Sequence, residues 1–171
     1  MGSASHLVTR FFGSLRSGPP NAADLRWARS RLSDGEWLLF ERMSNPDQRH
    51  SVEVARAVVG ALPDAEPEVI AAAFLHDVGK VESGFGTPAR VLATVFWAIV
   101  PDRLADSWLR APLPLRKLAQ YRRHPEIGEQ LLLDAGAHPV TASWAADHHR
   151  SMEKWRVDVR IGRVLKSCDG D

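Results

Sequence analysis

Three residues in one short stretch of the chain combine groups that can bind a metal ion and an anion. His76 and Asp77 place an imidazole beside a carboxylate, and Lys80 adds an ammonium three residues later. The stretch follows residues 68–73, a run of good helix formers, and Gly79 is a typical helix stop signal. We therefore expect the His-Asp pair at the end of a largely buried helix. Without further ligands nearby, Lys80 would simply be a lysine that interacts with a helix C-terminus.

Further histidines and one aspartate occur near the ends of other predicted helices. A single histidine is more often structural than a ligand, because imidazole is intermediate in its preference for burial. Several imidazoles and carboxylates that converge from helix ends would instead suit a transition metal such as iron, manganese, zinc or nickel. The candidate ligands are His50, His76, Asp77, His124, His148, His149 and Asp169. His6 and His138 lack this placement and are left out.

The elements that must position these residues are all predicted to be helices. Apolar residues recur at helical spacing, and no stretch shows sustained alternation of β-branched residues, so the expected fold class is all-α. Residues 22–32 and 36–43 form a helical hairpin with a capping box from Ser33 to Glu36. A third helix carries His50 in its first turn. The later helices are predicted over residues 89–100, 115–124, 126–135, 139–149 and 158–169.

Composition and charge narrow the class of protein. With 171 residues the chain fits a single domain with its own core. Its formal net charge of +1 gives no global attraction to nucleic acid, so we expect no nucleic-acid partner. The single cysteine, Cys168, cannot form an internal disulfide, and the N-terminal apolar run is too short for a signal peptide. Together these features predict a cytoplasmic protein.

Two segments have alternative interpretations. The longest apolar run, residues 91–100, has half of the ~20 residues that a membrane-spanning helix needs. We expect a buried helix and no membrane span, with contact to a membrane surface as the less favoured alternative. Between Arg110 and Arg123 the chain carries five cations and no acid. A solvated helix face is the favoured interpretation there, and a phosphate-binding patch that includes Arg122 and Arg123 is the alternative.

Four local motifs carry a resemblance to a known family. They are Arg49-His50-Ser51-Val52, His76-Asp77-Val78-Gly79-Lys80, His124-Pro125-Glu126-Ile127-Gly128 and the helix that ends at Asp169. In this order the chain resembles the HD-domain superfamily of metal-dependent phosphohydrolases, of the HDIG and HD-GYP-like type, over residues 46–169. The resemblance implies an HD-domain helical bundle over residues 46–171. An N-terminal helical extension, residues 1–45, would precede the bundle and pack with it as one unit.

The resemblance also implies a centre of two divalent metal ions, in some relatives three, that hydrolyses phosphate esters. One aspartate would bridge the two ions. The implied ligands of the first ion are His50, His76, Asp77 and Asp169, and those of the second ion are Asp77, His124 and His148.

Other residues of the motifs have implied roles beside the metal ions. His149 would bind a third ion or the substrate, and Lys80 would contact a phosphate oxygen. Asp77 and Lys80 are thus the expected catalytic residues. The segment after the tandem histidines, residues 150–155, lacks the Gly-Tyr-Pro motif of cyclic-di-GMP phosphodiesterases, so that substrate is not expected.

We therefore expect a metal-dependent phosphohydrolase that acts on a small phosphorylated substrate, with nucleotides as the leading candidates. Two cations close together lower the pKa of a bridging water, and the resulting hydroxide would attack the phosphate. Two alternatives stay open. One is a di-iron oxygenase with the same order of ligands, and the other is a non-catalytic signalling or interaction domain.

Overall fold

The structure, a computed structural model of the chain, is built from helices. It describes residues 18–170 except 86–88, 90, 91, 94, 95, 98, 99 and 102, so His6 lies outside the described residues. No strand occurs in these ranges, and the predicted all-α class is confirmed. The α-helices are α1 (Ala22–Arg31), α2 (Asp34–Arg42), α3 (Asn45–Ala61), α4 (Pro67–Leu75), α5 (Arg103–Trp108), α6 (Leu115–Arg122), α7 (His124–Asp134), α8 (Pro139–Asp147) and α9 (Val159–Asp169). Short 3₁₀ helices span Val78–Glu82 and Met152–Lys154.

Helix α4 lies at the centre of the bundle because its sequence is apolar on every side. Every residue from Val69 to Leu75 is buried. A helix that is hydrophobic all round needs neighbours on all faces, and α4 contacts α1, α2, α3, α8 and α9. The chain leaves this buried helix at His76 and Asp77. The core therefore brings two polar residues to one point among the surrounding helices.

Helices α1 and α2 form the predicted hairpin and cover one side of α4. The capping box between Ser33 and Glu36 is present at the start of α2. The ring centroid of Phe74 in α4 lies 5.0 Å from that of Trp27 and 5.8 Å from that of Phe40. The described part of the predicted N-terminal extension thus shares one hydrophobic core with the later helices.

Two predictions around the candidate ligands are wrong in detail. Helix α4 ends at Leu75, so His76 and Asp77 lie in a turn before a 3₁₀ helix, and Gly79 lies inside that 3₁₀ helix instead of stopping α4. The side chain of Ser44 caps α3, which therefore begins at Asn45. His50 lies in the second turn of α3 and not in the first.

The boundary between α6 and α7 also differs from the prediction. A helix was expected through His124 and a new one from Glu126, but α6 ends at Arg122 and α7 begins at His124. Proline has no N–H to donate and is tolerated in the first turn of a helix. Pro125 therefore occupies the first turn of α7, and His124 belongs to that turn as well.

The apolar segment of residues 89–100 packs on the bundle. Its described residues from Ala89 to Trp97 are helical. The indole N–H of Trp97 donates a 3.0 Å hydrogen bond to the carbonyl of Leu118 in α6. Among the described residues, no helix has the length and hydropathy that a membrane crossing requires.

Candidate metal centre

Three histidines of the candidate centre are oriented by the same kind of backbone contact. Each ring directs Nδ1 at the carbonyl oxygen three residues earlier, and because a carbonyl can only accept, Nδ1 carries the proton. In the neutral ring Nε2 then presents a lone pair. Each Nε2 is buried and has no hydrogen-bond partner among the described residues. The three contacts are His76 to Ala73 (3.0 Å), His124 to Tyr121 (2.8 Å) and His148 to Ala145 (2.8 Å).

A first group of possible ligands joins α3, the end of α4 and the end of α9. Nε2 of His50 lies 2.8 Å from Oδ1 of Asp169, and Nε2 of His76 lies 3.4 Å from the same oxygen. The ligand atoms of these three residues all lie within 4.8 Å of one another. Gly170, with a φ of +78°, ends α9 directly after Asp169. The candidate ligand Asp169 therefore lies within the first group.

A second group joins the turn after α4 to the start of α7 and the end of α8. It consists of Asp77, His124, His148 and His149, whose ligand atoms also lie within 4.8 Å of one another. The first three side chains are buried, whereas His149 is exposed. His149 is therefore the member of this group that a molecule from solvent can reach.

Asp77 is placed between the two groups. Its Oδ1 lies 3.5 Å from Nε2 of His124 and 3.6 Å from Nε2 of His148. Its Oδ2 lies 3.6 Å from Nε2 of His76, which belongs to the first group. One carboxylate thus directs its two oxygens to members of both ligand groups, which is the arrangement expected of a bridging ligand.

Lys80 balances the charge of Asp77. The Nζ atom of Lys80 lies 2.5 Å from Oδ2 of Asp77. Burial favours the neutral acid, but Lys80 and His76 hold the pKa of the Asp77 carboxyl well below its usual range. For Lys80, burial opposes the charge and Asp77 supports it, and the pKa of its ammonium is raised. Both groups are therefore ionised at neutral pH.

The electrostatics of the first group favour bound positive charge. Burial lowers the pKa of His76, but the carboxylates of Asp169 and Asp77 more than compensate and raise it to about 9. Burial raises the pKa of Asp169, but His76 and His50 outweigh it and leave this pKa below its usual range. In the second group, burial lowers the pKa of His124, which keeps its imidazole neutral.

These residues fit a transition-metal centre. Imidazole nitrogens and carboxylate oxygens together suit borderline divalent cations. The orphaned Nε2 atoms of His76, His124 and His148 fit the same purpose, because a buried polar atom without a partner costs free energy unless a ligand satisfies it. Histidines that bind metals also commonly donate their other ring N–H to a backbone carbonyl, as these three do.

A close backbone approach at Gly79 holds the second group together. A Cβ atom at Gly79 would lie 1.9 Å from the carbonyl oxygen of His124 and 2.6 Å from the amide nitrogen of Gly128. No side chain fits there, so the 3₁₀ helix after Asp77 can lie directly against the first turns of α7. Glycine is needed at this position for proximity and not for a turn conformation.

Two arginines predicted as alternative phosphate ligands lie next to the centre in sequence. Arg122 ends α6 and is exposed. Arg123 precedes His124, and its Nε donates a 2.9 Å hydrogen bond to Oδ1 of Asp106. Phosphate binding by this pair stays a prediction. His138, which was left out of the ligand set, caps α8 by accepting a hydrogen bond from the backbone N–H of Val140.

The structure adds one buried carboxylate that the sequence pattern did not indicate. Asp147 is 0 % exposed and directly precedes His148. It accepts hydrogen bonds from the backbone N–H of Arg156 (2.7 Å) and from the side chains of Arg156 (3.0 Å) and Arg150 (3.0 Å). Lys166 donates to the carbonyl of His148 (2.8 Å). These contacts hold the tandem histidines in place. The sequence feature that could have indicated Asp147 is an acid in an alanine-rich helix that is followed by arginines.

We expect substitution of Asp147 to weaken the second ligand group. Asp147→Ala leaves four donor atoms of Arg150 and Arg156 without this acceptor and should lower the free energy of unfolding by about 2–4 kcal/mol, measured by urea denaturation. Asp147→Asn keeps an acceptor for the Arg156 N–H and should cost less. In the folded Asp147→Asn protein, metal affinity should fall by about 10–100-fold. Asp134→Asn, an exposed acid on α7, is the control, and equal metal affinity in both variants would remove Asp147 from this role.

The comparisons with known proteins leave the geometry as the main guide to function. No family model matches the sequence, and no curated protein or solved structure matches it either.

Proposed function

We propose that the chain is a metal-dependent phosphohydrolase of the HD-domain type. The observation that carries the proposal is the placement of Asp77, whose Oδ1 faces the buried imidazoles of His124 and His148 while its Oδ2 faces that of His76. A single buried carboxylate that faces two ligand groups is suited to two adjacent cations, a device that enzymes use to cleave phosphate esters.

The residues of the two groups have distinct tasks in this proposal. His50, His76 and Asp169 hold one cation, and His124 and His148 hold the other, with Asp77 shared. When bound, the two cations would activate water near neutral pH and neutralise charge on the phosphoryl oxygens. The contacts from Nδ1 to backbone carbonyls orient His76, His124 and His148 so that Nε2 of each would be available to a bound cation.

Lys80 and His149 act on the substrate side of the centre. The Lys80 ammonium is mostly buried beside Asp77, and its raised pKa keeps it charged. A fixed positive charge in a site with little water stabilises negative charge on a phosphoryl oxygen more strongly than it would in solvent. His149 is exposed and lies beside His148, with ring centroids 4.0 Å apart. It is therefore placed to bind the phosphate or a third cation.

Metal content and turnover test the proposal together. The full chain is purified without chelator, analysed for metals, stripped, and reloaded separately with manganese, iron, zinc or nickel. Hydrolysis of aryl phosphomonoesters, aryl phosphodiesters and nucleotides is then followed by phosphate or phenol release, with oxygen uptake recorded in parallel. We expect about two metal ions per chain in the active protein, loss of hydrolysis on stripping, and no oxygen uptake.

Two results would contradict the proposal. Turnover that requires iron and consumes oxygen would identify a di-iron oxygenase. Failure of every metal to bind the folded, stripped chain would instead favour a non-catalytic domain.

A further inference from the structure

Exposed leucines and arginines cluster at the connection between α5 and α6. Leu109, Leu113 and Leu115 are 36 %, 56 % and 37 % exposed. Arg110 and Arg116 lie among them and are exposed as well. We name these five residues the leucine–arginine corner. It lies in a part of the chain that the candidate metal centre does not use.

The corner is compact because its backbone is folded into successive turns. The N–H of Ala111 bonds to the carbonyl of Trp108 (3.0 Å), and the N–H of Arg116 bonds to the carbonyl of Pro112 (3.4 Å). The ring of Trp108 lies 5.8 Å from that of Phe96 and 5.6 Å from that of Trp97. Trp108, directly before the corner, thus packs against Phe96 and Trp97. The exposed leucines therefore lie at the end of a packed hairpin.

The charged residues of the corner, Arg110 and Arg116, are both positive. The chain has no acid from residue 107 to residue 125. The nearest acid in sequence, Asp106, is 67 % exposed and pairs with Arg123 at 2.8 Å. Two exposed leucines elsewhere lie near exposed acids in sequence: Leu38 lies three residues before Glu41, and Leu133 directly precedes Asp134. Apolar exposure and positive charge therefore coincide in the corner, within a stretch of sequence that contains no acid.

We propose that the leucine–arginine corner docks the protein on an anionic lipid surface. Leucines at the end of a hairpin can enter the headgroup region while neighbouring arginines contact lipid phosphates, and both contributions add to binding. The protein would bind as a peripheral protein, consistent with the absence of a spanning helix among the described residues.

Vesicle binding by the full chain tests this proposal without reference to catalysis. The protein is sedimented with vesicles of phosphatidylcholine alone and with vesicles that also contain phosphatidylglycerol. We expect binding to the anionic vesicles, weaker binding to the neutral ones, and release as salt is added.

Paired variants separate the two contributions from general surface effects. Leu113→Ser with Leu115→Ser, and separately Arg110→Glu with Arg116→Glu, should each lower the partition coefficient on anionic vesicles about tenfold or more. The matched controls are Leu38→Ser, an exposed leucine on α2, and Arg26→Glu with Arg160→Glu, two exposed arginines with the same change in net charge. The controls should bind like the parent protein.

Three outcomes would overturn the proposal. The first is no binding to anionic vesicles by the parent chain, and the second is an equal loss in the corner variants and their controls. The third is a dimer, measured by light scattering without lipid, that the leucine variant converts to monomer, because the corner would then be covered by a second copy. Circular dichroism and hydrolysis assays on the same variants show that any loss of binding is not a loss of folding.

Discussion

Asp77→Asn should remove both bound metal and hydrolysis while the helical fold persists. The amide keeps the size of the carboxylate but carries no charge, and only its oxygen could still bind a cation. It therefore cannot serve one ion beside His124 and His148 and another beside His76. Losing the several kcal/mol that a metal centre contributes corresponds to a fall in kcat/KM of about 10³-fold or more. Metal content by elemental analysis and initial rates on the best phosphate ester measure the two effects.

Two further variants make the Asp77 result specific. Lys80→Met removes the ammonium that lies 2.5 Å from Asp77 but no proposed ligand. The variant should therefore keep its bound metal and have a lower kcat. His124→Gln should reduce metal content while leaving the Asp77–Lys80 pair intact, which keeps the test informative if Asp77→Asn folds poorly. Full metal content and full activity in both Asp77→Asn and His124→Gln would exclude these residues as ligands.

Gly79→Ala adds one methyl group and should strongly lower the free energy of unfolding. The new Cβ would lie 1.9 Å from the carbonyl oxygen of His124, and a backbone atom cannot move aside as a side-chain end can. The first turn of α7 must therefore shift, together with His124. Overpacking of this kind costs about 3 kcal/mol or more, measured by urea denaturation. The folded variant should also bind less metal in the group around Asp77.

Two other glycines provide matched controls for Gly79→Ala. Gly60 lies in α3 with nothing within 4 Å of a new Cβ, so Gly60→Ala should raise stability by about 0.5–1 kcal/mol through helix propensity. Gly35→Ala would place its Cβ 2.3 Å from the carbonyl of Ala135, far in sequence from every proposed ligand. It should destabilise the protein but leave metal content of the folded fraction unchanged. A Gly79→Ala protein as stable as the parent would contradict the close approach of the 3₁₀ helix to α7.

The effects expected for the Asp77 and Gly79 substitutions link the candidate metal centre to the hydrophobic core. The buried helix α4 ends at Leu75, and the next five residues supply two candidate ligands, the close-contact glycine and the lysine. Helices cover α4 on all sides, so the residues that follow it lie among the other candidate ligands. A change in the packing of α4 is therefore expected to alter the metal centre as well as the stability.

The sequence by itself determined the features that depend on near neighbours in the chain. Helical periodicity predicted the fold class, and the caps at Ser33, Ser44 and Asp158 are present because each acts on N–H groups two or three residues away. The identity and order of the candidate ligands were also visible in the sequence, and all of them fall in the two groups that the structure brings together.

Only the tertiary structure decided how these residues meet. His50 and Asp169 are 119 residues apart, and their contact at 2.8 Å depends on the packing of α3 and α9 beside α4. The position of Asp77 between His76 on one side and His124 and His148 on the other depends in the same way on several helices. So do the hydrogen bonds to the buried carboxylate of Asp147. Local helix propensity predicts a helix stop at Gly79. The structure instead requires glycine because the carbonyl of His124, 45 residues later, leaves no room for a Cβ. That contact forms only when the helices pack together.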